Sequence, residues 1–510
     1  MKLRTQIITS GRPRAAPAGG RSAVGCRLAW KSHSSLLTIS TIYVPCIPSL
    51  SSTSISLVRT MATPAYIGFV GCYTKPGQAD PFESSHGGIP HDRSKVGTGV
   101  HAISIDAEGK LTLLNGGEPI IKADDLPNPS YLTILGRGHG RSDALSNGGL
   151  CVVSELGEGK CHFFSVRCGR TSKLSVEATV VGNAVSTGGS YPCHVTESNL
   201  EGPWGCIFVC NYGEDEGVLS ILSIDRTPHV EQSCIRFGPG SKADLVRQQS
   251  SHAHSTCALN PLESSSSLLD LCAADLGSDS IIQFSISKKV NSENVVSLLC
   301  VEKGRLATPS GSGPRSLMFN PSPSFSNIAI VSLEMTAQVW LIRRRLHDGC
   351  LEGLCSPISV LPENWPDRGG EGGIEATEMQ FNRGRWASDA VWSPDGKFCY
   401  AAARLHDSIS VFRLQYKFDK YRQSQSTQSV SPNSVIVQGL ELVDRIPTHG
   451  RTPRCLEMSE CGKFVLVAHQ HSHDVSSFKR NERNGKLTFV NKLDVNCAAC
   501  VKLVRPEKIG

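Results

Sequence analysis

Two stretches decide the fold: WSPDGKFCYAAARLHDSISVF at residues 392–412 and MSECGKFVLVAHQHSHDVSSF at residues 458–478. Each has a turn, then Gly-Lys-Phe, then a run of small and apolar residues. Each continues with one long polar side chain (Arg404, Gln470), a polar turn containing Asp, and an alternating strand. A short apolar run bounded by turns fits a strand covered on both faces, and alternation fits one covered on a single face.

The unit recurs. Residues 313–342 read GPRSLMFNPSPSFSNIAIVSLEMTAQVWLI. HAHSTCALNP precedes LLDLCAADLGSDSIIQF, YPCHVTES precedes CIFVCNYGEDEGVLSILSI, and NPSYLTIL precedes GLCVVSELGEGKCHFFSV. Units start near residues 128, 191, 252, 313, 388 and 453. A fourth strand often follows, as in GKLTFVNKL at 485–493. The six units leave YIGFVGCY (66–73), GVHAISID (99–106) and KLTLL (110–114) at one end and CVKLV (500–504) at the other. Three strands and one strand complete a seventh unit. A four-stranded sheet cannot cover both its faces alone, but sheets packed radially around an axis can. The expectation is an all-β, seven-bladed propeller closed by strands from both termini. An open β-solenoid is the alternative, and it gives no reason for incomplete units at the two ends.

Superposing the units aligns Glu155, Tyr212, Leu276, Glu334, Arg404 and Gln470 just after the middle strand. A purely structural position would keep one residue type. This one changes between acid, base, amide and apolar, as a ring facing one asymmetric ligand would; a solvated turn is the alternative. A second set stands where the inner strands begin: Cys193 and His194, His252 and His254, Arg315, Asp389 and Arg454. Arginine offers a planar fork for phosphate or carboxylate. Histidine can move a proton near neutrality. Together they favour an anionic, oxygen-rich small molecule. His469, His471 and His473 have a spacing that a metal could use on one strand face, but they bracket a turn. P-loop, Gly-x-Ser-x-Gly and His-Glu-x-x-His motifs are absent.

Charge narrows the partners. The chain has 510 residues and a formal net charge of +6. Residues 1–60 contain eight Lys or Arg and no acid, which leaves 44 basic against 46 acidic residues in the rest. The body therefore lacks the basic surface of a nucleic-acid binder, and the Arg343–Arg345 run is expected to be a solvated strand end. Residues 1–64 are set apart from the propeller expected over residues 65–510. Their Arg-, Ser- and Ala-rich composition fits a mitochondrial or plastid transit peptide, and Met61-Ala-Thr-Pro also fits a start of its own. Residues 32–58 are too polar for a membrane span. The 20 cysteines are scattered, and the lone CxxC, Cys497 to Cys500, has no second ligand pair for zinc. With no Asn-x-Ser/Thr site either, a reducing, cytoplasmic setting is expected.

The stretches YIGFVGCYT, NPSYLTI, GPRSLMFNP, LPENW, RWASDAVWSPDGKFCYAAARLHDSISVF and TPRCLEMSECGKFVLVAHQ resemble the propeller lactonase family. That family includes 6-phosphogluconolactonases and carboxy-cis,cis-muconate cyclases, and the resemblance runs from about Tyr66 to Arg505. It implies ring-opening hydrolysis of 6-phosphoglucono-1,5-lactone, with no metal or organic cofactor. It assigns a catalytic His, Glu and two Arg to His254, Glu334, Arg315 and Arg404, with His254 or Glu334 as the proton acceptor. His194, His252, Glu155, Asp389, Arg454 and Gln470 are the expected substrate contacts. Two positions depart from the family pattern: Ser316 follows the Gly-Pro-Arg arginine, and Val391 lies two residues after Asp389, where His is usual in both. His252 also competes with His254 for the channel position. The alternatives are a muconate-type cycloisomerase or other lactonase, and a non-catalytic scaffold using Ser/Gln-rich loops at 232–251 and 416–438. Oligomeric state is not legible.

Overall fold

The two Gly-Lys-Phe turns are built alike. Gly396 donates to the Ser393 carbonyl at 2.8 Å and Ser393 to the Phe398 carbonyl at 2.8 Å. Gly462 and Ser459 repeat these bonds at 2.8 and 2.9 Å. Gly396 and Gly462 have φ of 70° and 71°, a left-handed conformation that a residue without Cβ adopts at least cost. Each turn returns the chain from an inner strand to a middle strand. The middle strands Phe398–Arg404 and Phe464–His469 are buried at every residue, so their apolar runs reflect cover on both faces. The outermost strand Leu487–Asp494 mixes buried and exposed positions, as one wet face requires.

A computed structural model describes residues 64–509 outside the segments 76–94, 137–144, 146–147, 171–173, 199–204, 225–231, 262–267, 291–295, 366–385 and 419–434. The N-terminal extension, Pro64 apart, and most of the 416–438 loop lie outside the described residues. The chain folds as a seven-bladed β-propeller of antiparallel sheets. Six blades are consecutive in the chain, with inner strands Tyr131–Leu135, Pro192–Glu197, Ala253–Leu259, Pro314–Phe319, Trp386–Trp392 and Pro453–Met458. The seventh uses both ends. Tyr66–Cys72 pairs with Gly99–Ile105 on one side and with the C-terminal strand Ala498–Val504 on the other, with Val70 opposite Val501. Ala498–Val504 packs between the inner strands of the first and sixth blades, so the ring of inner strands closes. Among the described residues no helix is long and apolar enough to cross a membrane.

Near its start the inner strand bulges in five of the consecutive blades. Cys193, His254, Arg315, Ser388 with Asp389, and Arg454 fall between ladder pairs. A bulge re-aims a side chain out of the strand's regular alternation. Three of these residues, His254, Arg315 and Arg454, meet the carboxylates of the site described below.

Two sequence expectations need correction. Residues 232–251 form no scaffold loop: Gln232–Arg236 is the outer strand of the second blade, and the following turn packs inward. The Arg343–Arg345 run is not simply solvated. Arg344 is buried, paired with Asp270 and donating to the Asn260 carbonyl at 2.8 Å. Its partners belong to the neighbouring blade. Cys497 and Cys500 are both free and buried.

Because Ala498–Val504 is both a ladder partner and the inner face of the closing blade, deleting residues 498–510 opens the ring. The expected outcome is loss of the cooperative thermal transition and of protease resistance across the whole domain. A truncated chain that melts like the full chain would show that closure contributes little.

Candidate active site

Backbone hydrogen bonds define the ring of positions that follow the middle strands. The N–H groups of Tyr73, Glu155, Tyr212, Leu276, Glu334 and Gln470 each donate to the carbonyl of the segment leading into an inner strand, at 2.8–3.1 Å. Arg404 follows Ala403, the partner of Ala387, as Glu334 follows Leu333, the partner of Pro314. The seven positions are therefore structurally equivalent, and Tyr73 joins the six aligned from sequence. Repeat geometry holds the backbone constant while the side chains vary.

Two clusters form at this end of the channel. In one, the Tyr73 hydroxyl donates to Glu155 Oε2 at 2.9 Å, and Arg454 Nη2 lies 3.7 Å from the same oxygen. The Arg454 guanidinium also sits 4.9 Å from the Tyr73 ring centroid. In the other, Glu334 is held from two sides. Arg247 Nη2 reaches Oε1 at 2.7 Å, and Arg315 Nε lies 2.8 Å from Oε2. Arg315 Nη1 donates to the Ser388 carbonyl at 2.9 Å, which ties it to the next blade. Arg404 is buried, and its charge acts on Glu334. His254 feels Arg315, Glu334 and Arg454, and its ring meets Tyr212 edge-on at 6.0 Å.

The electrostatics separate the roles. Burial alone would raise the Glu334 pKa, but Arg247, Arg404 and Arg315 outweigh it and hold the carboxyl well below the usual carboxylate range. With one arginine on each oxygen, Glu334 is a poor proton acceptor. Glu155 is shifted the other way: burial raises it, and Arg454 and Tyr73 oppose that only in part. Burial, reinforced by Arg315, pushes His254 well below its ordinary value of 6.5. His254 is therefore favoured as a neutral imidazole, which leaves one ring nitrogen to accept a proton while burial lowers its basicity. Of the described charged side chains that meet here, Arg247, Arg315, Arg404 and Arg454 outnumber Glu155 and Glu334. That excess of positive charge suits an anionic ligand.

The other expected contacts distribute differently. His252 stacks on the Tyr212 ring at 4.1 Å, and its Nδ1 donates to the Tyr212 carbonyl at 3.0 Å, so it braces the wall, and of the two histidines His254 is the one that faces the arginines and Glu334. His194 and Asp389 make their side-chain contacts away from Glu334, although His194 feels the Arg315 charge. They sit one residue further along their strands, where Asp389 accepts from Ser316 Oγ at 2.7 Å and from the Leu456 N–H at 3.1 Å. His194 packs on Tyr131 at 4.6 Å, beside the Lys502–Glu457 pair at 3.1 Å. Gln470 is buried at the equivalent position of its blade. His469, His471 and His473 separate: they engage Asp474 at 2.8 Å, Thr452 at 2.8 Å and the Cys497 N–H at 3.1 Å. Among the described residues no group of metal-ligating side chains converges.

Sequence reasoning missed Arg247 and Tyr73. Tyr73 ends the stretch YIGFVGCY just where the ring position falls, so the repeat did carry its signal. Arg247 has none, because it comes from a connection outside the repeat.

The histidines set an acid limit on stability. His194 is lowered to about 3 and His252 to about 4, both chiefly by burial, and His254 is lowered too. Their folded values lie below the unfolded value of 6.5. The stability they contribute is present above that value and is lost as pH falls through it. The melting temperature is expected to be level from pH 8 to 7 and to decline below about 6.5. A level melting temperature down to pH 4 would show that these rings are not buried in neutral form.

The family model described as "Lactonase, 7-bladed beta-propeller" matches residues 68–437 and 433–503. A 6-phosphogluconolactonase of Bacillus subtilis (strain 168) is 22% identical over 441 residues, 86% of this chain and 98% of its own length. A 6-phosphogluconolactonase of Formosa agariphila is 25% identical over 401 residues, 77% of this chain and 91% of its own. The structure of a periplasmic gluconolactonase of Pseudomonas aeruginosa superposes with a TM-score of 0.59 at 22% identity, covering 86% of this chain and 99% of that one.

Proposed function

The chain belongs to the lactonase family of seven-bladed β-propellers, and from that premise we propose that it hydrolyses 6-phospho-D-glucono-1,5-lactone to 6-phosphogluconate. The observation that carries this reading is the pairing of a neutral, buried histidine with an arginine-rich cluster at one channel end. The names carried by the relatives support it.

His254 accepts a proton from water as the oxygen attacks the lactone carbonyl. The carbonyl π electrons move to oxygen, and Arg315 or Arg404 stabilises the oxyanion. Collapse of the tetrahedral intermediate breaks the bond from the carbonyl carbon to the ring oxygen. His254 returns its proton to that oxygen, which leaves as the hydroxyl of the opened sugar acid. Whichever of Arg315 and Arg404 is not at the oxyanion balances the substrate phosphate together with Arg454. Glu334 acts as an anchor for the arginines rather than as the base. A cytoplasmic setting, a small anionic partner and no role for nucleic acid or membrane belong to the same proposal.

Purified residues 61–510 are expected to accelerate 6-phosphogluconate formation over the spontaneous rate, with lactone generated in situ. His254→Ala should lower kcat by about 10²–10⁴-fold, the usual loss for a general base. Arg404→Ala should lower kcat/KM for the phosphorylated lactone more than for a phosphate-free one. Equal kcat/KM for both lactones in the unaltered protein would move the substrate away from sugar phosphates, a direction in which Ser316 and Val391 already point. No acceleration by folded protein would overturn the hydrolase reading.

A further inference from the structure

Arg247 does not come from a blade. It lies in the connection between the outer strand of the second blade and the inner strand Ala253–Leu259, and that connection is built to hold it. Asp244 Oδ1 accepts from the N–H groups of Val246 and Arg247 at 2.8 and 2.9 Å. Gln248 Nε2 donates to the Leu276 carbonyl and to Asp279 Oδ1, both at 2.8 Å. Ser241 Oγ donates to Asp279 Oδ2 at 2.9 Å. A Cβ on Gly240 would sit 2.1 Å from the Gln248 carbonyl oxygen, so the two arms of the turn touch there. An arginine in a connection normally reaches solvent. Arg247 instead is 7% exposed, with its guanidinium 5.7 Å from the Trp386 ring and its Nε donating to the Tyr212 hydroxyl at 3.3 Å.

Charge balance does not require it. Arg315 and Arg404 already neutralise Glu334, and burying a further cation is costly unless its geometry matters. Arg247 and Arg315 take different oxygens of one carboxylate. Glu334 is thereby fixed in one rotamer, and it in turn fixes the Arg315 guanidinium beside His254. We propose that Arg247 is a positioning residue: it locks Glu334 so that Arg315 and His254 keep the geometry needed for lactone hydrolysis, without itself holding the substrate. This rests on the hydrolase reading above.

The groups facing Glu334 are Arg247, Arg315, Arg404 and His254, with Tyr212 beside Arg247. Those facing His254 are Arg315, Glu334, Arg454 and the Tyr212 ring. Removing the Arg247 charge leaves Glu334 less neutralised, so protonation of His254 becomes easier. The sign is upward for the midpoint of His254.

The test compares the unaltered protein with Arg247→Lys and Arg247→Gln, each first shown by melting to be folded. In assays of 6-phosphogluconate formation, both variants should lose kcat by about 10- to 100-fold, as misplacement of catalytic groups does, while KM changes by less than about threefold. The acid limb of kcat/KM should move to higher pH in Arg247→Gln and stay in place in Arg247→Lys, which keeps the charge. His254 is also titrated directly by NMR of histidine-labelled protein, with its signal assigned from its loss in His254→Ala. Its midpoint should rise in Arg247→Gln alone. A rise in KM with kcat unchanged would make Arg247 a substrate ligand and overturn the proposal. An unmoved His254 midpoint in Arg247→Gln would overturn it as well. Absence of turnover in the unaltered protein would sink the hydrolase reading, whereas the NMR titration still decides whether Arg247 acts on His254 through Glu334.

Discussion

Everything in this molecule depends on the antiparallel pairing of Tyr66–Cys72 with Ala498–Val504. Seven sheets packed face to face bury their middle strands completely only if the ring is shut. A seam would expose two sheet faces and a ladder edge. Joining the two ends of the domain in one blade turns that seam into ordinary strand pairing. It also fixes the position of every other inner strand around the channel.

The channel end is then assembled by repetition. The same backbone bond holds the residue after the middle strand in blade after blade. The same bulge releases one residue from the inner strand in five of them. Two rings of positions result, and side chains can vary there without disturbing the ladders. The ordinary liability of buried charge is met by mutual pairing. Glu334 takes two arginines, and Glu155 takes Tyr73 and Arg454. What remains is an excess of guanidinium around a neutral imidazole.

Burial does the tuning. It drives His254, His194 and His252 toward the neutral form and lifts Glu155, while clustered arginines pull Glu334 the other way. Groups of the same chemical type therefore have different tasks. His252 braces a tyrosine and His254 faces the arginines, although they are two residues apart where one inner strand begins. Glu155 and Glu334 occupy equivalent positions, yet their surroundings push them in opposite directions from the ordinary carboxylate value.

The seven-bladed architecture, its closure from both ends and the ring containing Glu155, Glu334, Arg404 and Gln470 were legible in the repeat, because each follows from strand periodicity and turn chemistry. Arg315 and His254 were legible as strand-start residues, and the family resemblance singled them out. Their separation from His194, Asp389 and His252 was not, because a bulge decides which neighbouring side chain enters the channel and no spacing rule records it. Arg247 was not legible either. Its connection reads as polar and unstructured, and only packing against Asp279, Tyr212 and Trp386 brings it to Glu334. The local pattern along the chain determined which elements form and how many blades they make. Long-range contacts between segments distant in sequence decided which charges meet, because proton affinity depends on burial and on neighbours that no local pattern contains.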